Sequence, residues 1–398
     1  MRFHICGGGS IGSLLGWHMR HAIQPSDALS VIIKPHHLKQ IKFPRSPSIS
    51  LRTLLEPPRA VGGFQVEVVD DRLKEFPDIA VQKALEGVQP NAPITHPPYG
   101  HILSLFITTK AQAAAPAMDA LVSANRISPA TTVVLMTNGM GVYEQIVQSF
   151  FKDPETRPQF VLATNTHGAS LKGWFDVVHA AKGQIHYAVV PDPLGRDQGM
   201  DRALRPGSSL DSSSAASTPS SQHPFSSLHR TVSLLDTLSP RLNTKPETIH
   251  LLHHRLILKL ITNCCINPLT ALKDCKNGDL LHDNDALKTI REICEEAAEV
   301  LDLKSAEDDA MMLLAELESD SFGENPIPLV RTPSAEELEE EVLRVARLTA
   351  ENYSSMLQDV RKRKPTEIEY LNGHFTRLAQ LYNVATPAND ALAERLRQ

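Results

Sequence analysis

The segment Met1–Gly12, which reads MRFHICGGGSIG, decides the fold class of this chain of 398 residues. A short strand-like run leads into a GxGxxG motif, and a helical pattern follows over Ser13–His21. Gly7 permits the tight turn, Gly9 lets the backbone approach a pyrophosphate, and Gly12 lets the helix pack closely on the strand. The segment predicts a Rossmann-type dinucleotide-binding domain; a glycine-rich turn without a ligand is the alternative. The loop residues predicted to contact the cofactor are Gly7, Gly8, Gly9, Ser10, Ile11 and Gly12.

The residue that follows the second predicted strand indicates which dinucleotide is bound. The strand Leu29–Ile33 ends at Lys34, about 20 residues after the last glycine, where this fold contacts the ribose. An acidic residue there would bond the 2′-hydroxyl of NAD, whereas a cation accommodates a 2′-phosphate. Lys34, with His36 and His37 beside it, therefore predicts NADP. An ordinary solvated lysine is the alternative.

Three further apolar runs are typical of buried parallel strands, namely Ile102–Thr108, Thr132–Met136 and Phe160–Ala163. Polar or glycine residues follow each run, at the carboxyl end of the predicted strand. In an open parallel sheet the ligand lies outside those ends, so these residues are expected to surround one crevice. The residues delivered are Thr109-Lys110, Asn138–Gly141 and Thr166–Ala169. Trp174–His186, with its continuation to Val190, is predicted to be a pair of antiparallel strands that closes the sheet.

Two segments interrupt this pattern. Residues 43–99 are rich in proline and predict an expanded connection that holds short helical pieces, among them residues 71–73 and 78–85. Residues 191–226 are rich in serine and have little to bury, so they predict a flexible insert. From about Ser227 the periodicity is helical. The predicted domains are therefore 1–190, an α/β NADP-binding domain; 191–226, the insert; and 227–398, an all-α substrate and catalytic domain.

The helical half contains the segment Leu256–Leu272, which reads LILKLITNCCINPLTAL. Lys259, Asn263 and Asn267 stand at i, i+4 and i+8, so a helix presents them as one polar stripe. Pro268 predicts that this helix bends or stops. The stripe either faces a substrate cleft, with the ammonium available to donate a proton, or consists of a snorkelling lysine and asparagines that bond backbone groups.

A second polar segment lies near the end of the chain, Glu351–Gly373, which reads ENYSSMLQDVRKRKPTEIEYLNG. Thr366 is predicted to cap a helix whose first turn holds Glu367, where a negative charge is stabilised. Glu367 either serves only the helix dipole or contacts the substrate, and the residues of this segment leave both open.

Composition excludes several classes of function. The net charge of −6 at pH 7, without a dense basic face beyond Arg361–Lys364, argues against a nucleic-acid partner. The five cysteines lack zinc-ligand spacing, so no metal site is expected and they are interpreted as reduced core residues of an intracellular protein. No apolar run reaches the roughly 20 residues of a membrane helix. Met1 leads straight into a strand, so a cytoplasmic protein is expected, with a mitochondrial location left open.

These motifs together resemble the ketopantoate reductase (2-dehydropantoate 2-reductase) family, the NADPH enzymes of pantothenate synthesis. Lys259–Ala271 (KLITNCCINPLTA) resembles the family's KLxxNxxINPLTA, and Glu351–Gly373 resembles its later SSM, TEI and LNG segment. The glycine loop, Lys110, Asn138–Gly141 and Thr166–Ala169 also fit. The resemblance implies a Rossmann-type domain followed by an all-α domain similar to the C-terminal domain of 6-phosphogluconate dehydrogenase.

The resemblance also implies roles for individual residues. Lys259 would be the general acid that protonates the ketone oxygen, and Glu367 would lie between substrate and cofactor. Lys34 would take the 2′-phosphate in place of the family's usual arginine, with its charge but without the bidentate fork. The implied substrate contacts are Lys259, Asn263, Asn267, Asn277, Ser355 and Asn138. The implied cofactor contacts outside the glycine loop are Lys34, Lys110, Asn138, Ala169 and Glu367.

The sequence departs from the family at two places near the predicted site. Gln112 stands where an aromatic residue often follows the lysine-alanine pair, and Ile257 stands where a tryptophan is usual. Another 2-keto acid is therefore an alternative substrate, and a non-catalytic NADP-binding regulatory protein is an alternative function. The joint presence of Lys259, Asn263, Ser355 and Glu367 favours catalysis, because a binding protein does not need a proton donor. A homodimer through the helical domain is left open.

Overall fold

The computed structural model describes residues 1–38, 47–53, 56–68, 100–197, 226–317 and 331–397. The chain forms two units, one built from residues 1–137 and 143–249, the other from residues 138–142 and 250–398. The strands are β1 (Arg2–Cys6), β2 (Ala28–Ile33), β3 (Ile49–Thr53), β4 (Arg59–Val61), β5 (Gln65–Val68), β6 (Ser104–Ile107), β7 (Thr132–Leu135), β8 (Gln159–Asn165), β9 (Gly168–Gly173), β10 (Asp176–Ala181), β11 (Ile185–Val189) and β12 (Thr244–Pro246).

The first unit is built around a mostly parallel sheet, which confirms the predicted α/β class. Within the described residues this sheet has the order β12-β11-β8-β7-β6-β1-β2-β5. β1 pairs in parallel with β2 and β6, and β11 is antiparallel to β8. The helices of this part of the chain are α1 (Ser10–Ala22), α2 (Pro35–Leu38), α3 (Ala111–Ser123), α4 (Val142–Phe150), α5 (Ser226–Thr237) and α6 (Ser239–Leu242).

The prediction that Trp174–His186 closes the main sheet as one strand pair is only partly right. β9 and β10 form an antiparallel hairpin, but β10 pairs in parallel with β3 and belongs to a second sheet, β4-β3-β10-β9. Of this stretch, only β11 joins the main sheet, where it lies between β8 and β12. The partner strand β3 comes from the proline-rich connection, whose described part forms strands. The short helices predicted at residues 71–73 and 78–85 lie outside the described residues.

The boundary between the units falls later than the predicted Ser227. α5 buries Leu228 and Leu235 in the hydrophobic core of the first unit. Its Thr231 hydroxyl donates to Ser104 Oγ on β6 at 2.8 Å, and β12 pairs with β11. A helix that covers the sheet and a strand that extends it belong to the α/β unit, so that unit runs to Ile249. The predicted serine-rich insert lies largely outside the described residues.

The second unit is helical, as predicted. Its helices are α7 (Ile249–Lys273), α8 (Asn284–Leu317), α9 (Ala335–Leu348), α10 (Ser355–Arg361), α11 (Asn372–Leu381) and α12 (Pro387–Arg397), with 3₁₀ turns at Asn277–His282 and Ile368–Tyr370. The buried face of α7 contributes a run of apolar side chains and two free cysteines, Cys264 and Cys265, to the core of this unit. Among the described residues, no helix has the length and apolar character needed to span a membrane.

Pro268 does not end α7, which continues to Lys273. A proline has no N–H, so the carbonyl of Cys264, four residues earlier, loses its intrahelical donor. Asn372 replaces that donor, because its Nδ2 lies 3.0 Å from the Cys264 oxygen. The same amide also donates to Asn389 Oδ1 at 2.9 Å, and Asn389 donates in turn to Glu296. The buried network compensates for the proline and keeps the helix continuous.

Candidate active site

The predicted polar stripe is the open face of α7. Lys259, Asn263 and Asn267 are partly exposed, whereas the residues between them are buried. Helical spacing places the three side chains above one another on successive turns. The residues between them pack into the core, so the three polar side chains share the face of α7 that the core leaves partly exposed.

Glu367 belongs to the same unit as α7 and lies directly before the 3₁₀ turn Ile368–Tyr370. Its side chain is 7% exposed, and it stands at the N-cap of the 3₁₀ turn Ile368–Tyr370 without a side-chain capping bond. The prediction that Thr366 caps a helix with Glu367 in its first turn is therefore wrong. The chain makes a 3₁₀ turn here, and Glu367 is itself the N-cap residue. Its carboxylate is left to interact with other side chains.

Two predicted site residues, Asn138 and Lys259, interact with this carboxylate. Asn138 Nδ2 donates to Glu367 Oε2 at 3.4 Å. The negative charge of Glu367 also acts on the Lys259 ammonium and raises its pKa. The structure thus brings together three predicted site residues that are far apart in the sequence.

The pKa of Lys259 is shifted toward neutral pH. Desolvation in the protein lowers it from 10.5 to about 8, and the Glu367 carboxylate opposes part of this shift. A buried environment disfavours the charged amine, while an adjacent carboxylate favours it. The result is a lysine that holds its proton at pH 7 and releases it more readily than a surface lysine, as a general acid requires.

The loop Asn138–Gly141 is held by two glycines with left-handed backbone. Gly139 has φ +79° and Gly141 has φ +83°. A Cβ at Gly139 would lie 2.4 Å from the Tyr370 carbonyl oxygen, and one at Gly141 would lie 2.7 Å from His374 Nδ1. Both contacts are closer than a real Cβ tolerates. The NGMG sequence is therefore what lets Asn138 reach Glu367.

Gly139→Ala is expected to destabilise the protein by about 2–3 kcal/mol, since a non-glycine residue in this backbone region costs about 1–2 kcal/mol before the clash is counted. Urea unfolding measures the loss, and kcat is expected to fall with it because Asn138 is displaced. Gly100→Ala is the matched control, because no atom lies within 4 Å of a Cβ placed there. Equal stability of the two variants would contradict this account of the loop.

Asn277 and Ser355 occupy different environments. Asn277 is buried at the start of a 3₁₀ turn and donates through Nδ2 to Thr349 Oγ1 at 2.8 Å. Ser355 is the exposed first residue of α10. Its neighbour Ser354 is the buried N-cap, accepting from the Leu357 N–H at 3.1 Å. Asn277 therefore has a structural bond that the sequence did not indicate, whereas Ser355 leaves its hydroxyl on the surface.

In the first unit, the glycine loop has the geometry of an anion cradle. Gly7 has φ +114°, and a Cβ at Gly12 would lie 1.9 Å from the Gly7 oxygen, so glycine is required at both positions. Gly9 is the N-cap of α1, and no atom lies within 4 Å of a Cβ placed there. The loop is thus open at the helix N-terminus, where a pyrophosphate fits. Thr108, which sequence reasoning missed, directs its hydroxyl at the backbone oxygens of Cys6, at the end of β1, and of Gly7, in the loop.

The other predicted cofactor residues lie at strand ends of the same unit. Lys34 is exposed directly after β2, and its charge acts on the Cys6 thiol at the end of β1. Lys110 is the N-cap residue of α3, just beyond β6. Ala169 lies in β9 and packs against the core. Parallel pairing of β2, β1 and β6 aligns the first two of these ends at one edge of the sheet.

Comparison with known proteins identifies the family. The family model described as ketopantoate reductase PanE/ApbA matches residues 74–192, and that of the ketopantoate reductase PanE/ApbA C terminal matches residues 252–398. The chain belongs to the ketopantoate reductase family. Among curated ketopantoate reductases, the 2-dehydropantoate 2-reductase of Shigella flexneri is 28% identical over 298 residues, which are 74% of this chain and 73% of the relative. That of Yersinia pestis is 26% identical over 317 residues, 79% of this chain and 80% of the relative.

Solved structures share the fold of this ketopantoate reductase family member. A probable 2-dehydropantoate 2-reductase from Bacillus subtilis aligns with a TM-score of 0.57 at 20% identity, covering 100% of this chain and 99% of that one. D-mandelate dehydrogenase in complex with NADH and anilino(oxo)acetate aligns with a TM-score of 0.63 at 18% identity, covering 100% and 97%. At these identities the likeness shows the fold alone.

Proposed function

We propose that this chain reduces 2-dehydropantoate (ketopantoate) to pantoate with NADPH. The observation that carries the proposal is Lys259, a lysine whose pKa lies near 8, which shares the open stripe of α7 with Asn263 and interacts with the carboxylate of Glu367. Membership of the ketopantoate reductase family supports the same reaction.

Lys259 is the proton donor in this proposal. When bound, NADPH would supply the hydride that adds to the carbonyl carbon of the 2-keto acid, and the carbonyl oxygen would carry the developing negative charge. The Lys259 ammonium stabilises that charge and transfers its proton to the oxygen. Glu367 favours the charged form of the lysine between turnovers, and Asn138 holds Glu367 in place.

The other polar residues of the helical unit orient the substrate. We assign the substrate hydroxyl to Asn263 and Asn267, which follow Lys259 along the open stripe. We assign the substrate carboxylate to the exposed hydroxyl of Ser355. Asn277 Nδ2 donates to Thr349 Oγ1, so we propose that only its Oδ1 contacts the substrate.

The α/β unit holds the dinucleotide. We assign the pyrophosphate to the open loop at Gly9 and the 2′-phosphate to Lys34, which is exposed at the ribose end of β2. Lys110, Ala169 and Asn138 complete the proposed contacts with the cofactor. Because a lysine lacks the bidentate fork of an arginine, we expect the preference for NADPH over NADH to be weaker than with arginine.

Glu367→Gln is expected to move the pH dependence of the reaction. The reduction needs a protonated Lys259, so its rate falls as pH rises through about 8, the pKa of this lysine. The Glu367 carboxylate raises that pKa, so its neutral replacement lowers the pKa and shifts the fall in kcat/KM to lower pH. A pH profile of kcat/KM from pH 6 to about 10 measures the shift.

Glu369→Gln is the matched control for that profile. Glu369 lies two residues away, but its carboxylate pairs with Arg397 and Arg377. The control should keep the wild-type profile. A Glu367→Gln profile that superimposes on the wild type would contradict the assignment of Lys259 as the acid.

The direct test is NADPH oxidation by the purified protein with ketopantoate, beside pyruvate and 2-oxoisovalerate, and with NADH in parallel. Turnover specific to ketopantoate and NADPH is the expected result. Turnover with a different keto acid would keep Lys259 as the acid and reassign the substrate; the replacement of family residues at Gln112 and Ile257 makes this the second candidate. NADPH binding without turnover would favour a regulatory protein. The homodimer stays a prediction.

A further inference from the structure

The start of α10 is joined to α7 by a buried pair of hydroxyl groups. Thr270 Oγ1, on α7, and Ser354 Oγ, directly before α10, are hydrogen bonded at 2.7 Å. The two residues are 0% and 5% exposed. A hydrogen bond that is shielded from water is stronger than an exposed one and requires a defined distance and angle. This bond therefore fixes the start of α10 relative to α7.

Each hydroxyl also has a local partner within its own helix. Thr270 Oγ1 lies 2.7 Å from the carbonyl oxygen of Ile266, four residues earlier in α7. Ser354 is the N-cap residue of α10, and its Oγ accepts the Leu357 N–H at 3.1 Å. Such local bonds occur in single helices and do not require a second one. The contact between the two hydroxyls therefore serves the relative position of the two helices.

The hydroxyl pair connects two groups of proposed substrate contacts. On α7, Asn267 is the last residue of the polar stripe and lies three residues before Thr270. On α10, Ser355 directly follows Ser354, and consecutive Cα atoms are only about 3.8 Å apart. The next two residues of α10 are buried in the core, but apolar packing is non-directional. The directional bond at Ser354 is therefore the contact that sets where Ser355 begins.

We propose that Thr270 is a positioning residue, which acts through Ser354 to hold the Ser355 hydroxyl at the distance from the α7 stripe that a 2-keto acid requires. This inference rests on the proposed function, because it needs the substrate carboxylate at Ser355 and the ketone at Lys259. A 2-keto acid carries these two groups on adjacent carbons, so their protein contacts must keep one short spacing. Loss of the bond weakens substrate binding and leaves the proton donor in place.

Thr270→Val tests this role, because valine has nearly the shape of threonine without its hydroxyl. In steady-state kinetics of the full-length protein, KM for ketopantoate is expected to rise about tenfold, with kcat and the Kd for NADPH close to wild type. Thr270→Ser keeps the hydroxyl and is expected to retain the wild-type KM. The matched control is Thr376→Val, which removes a buried hydroxyl that lies 3.2 Å from Gly373 O in its own helix. The control is expected to keep the wild-type KM.

A double-mutant cycle with Ser355→Ala separates positioning from a general loss of stability. Ser355→Ala is expected to raise KM as well. Adding Thr270→Val to it is expected to raise KM no further, because both residues act through one substrate contact. Additive increases in KM would overturn the inference. So would a wild-type KM in either single variant.

The proposed function fails in a different way, namely as a wild-type protein that reduces no keto acid, and that result would end both proposals. Turnover by the wild type with an unchanged KM in Thr270→Val would overturn the positioning role alone. Should Thr270→Val not fold, Ser354→Gly removes the same bond from the other side. Glycine keeps most of the stability of an N-cap, so this variant is expected to show the same rise in KM.

A wild-type KM in Ser354→Gly would overturn the inference.

Discussion

Lys259→Ala is expected to lose about 10²–10⁴-fold in kcat, the usual contribution of a positioned acid or base, while the fold persists. Lys259 is not one of the side chains that form the hydrophobic core of this unit, so its truncation leaves the packing of that core in place. Steady-state NADPH oxidation measures the kinetic loss, and circular dichroism checks the fold. Lys259→Arg is expected to lose most of kcat too, because a guanidinium keeps the charge but does not release its proton near neutral pH.

Lys273→Ala is the matched control on the same helix. Lys273 is a surface lysine that pairs with Asp283 at 2.7 Å, fourteen residues beyond Lys259. The control is expected to keep wild-type kcat. Wild-type turnover in Lys259→Ala would rule out this lysine as the proton donor, whatever the control shows.

Asn372→Ala is expected to lower the free energy of unfolding by about 3 kcal/mol. The substitution leaves the Cys264 carbonyl, already deprived of a donor by Pro268, without its partner. It also removes the bond to the buried Asn389. A buried polar group that loses its partner costs about 1–3 kcal/mol, and two are affected here. Urea unfolding of the full chain measures the loss.

Asn352→Ala provides the comparison for that measurement. Asn352 has an exposed side chain in the same unit, so its truncation is expected to change stability by no more than about 0.5 kcal/mol. Unfolding curves of the two variants that coincide would show that Asn372 does not compensate for Pro268. A loss of stability with kcat retained would show that the network supports the helix without setting the position of Lys259.

Several features of the site followed from the sequence because they depend on local spacing. The GxGxxG motif and the strand before it occupy only twelve consecutive residues. In the structure, the positive φ of Gly7 and the close approach of Gly12 to the Gly7 oxygen require glycine at both positions. The i, i+4, i+8 spacing of Lys259, Asn263 and Asn267 determines that they share a helix face, and burial of their neighbours makes that face the open one. The apolar runs at β6, β7 and β8 likewise became central strands.

Other features depend on partners distant in the chain, so local pattern could not determine them. Pro268 predicted that the helix bends or stops, because only the helix itself was considered. Asn372, over a hundred residues later, supplies the missing donor. The hairpin β9–β10 joined a second sheet because β3 offers an unpaired edge. Thr366 matched a capping pattern, but the chain forms a 3₁₀ turn whose N-cap is Glu367.

The sequence by itself determined the α/β and helical units, the glycine loop and the lysine stripe, because periodicity and glycine spacing are properties of consecutive residues. Only the tertiary structure decided that Asn138 donates a hydrogen bond to Glu367, that the pKa of Lys259 falls to about 8, and that Asn372 supplies the donor that Pro268 removes from α7. These are matters of distance and desolvation between segments far apart in the chain. Such quantities exist only once the chain has folded.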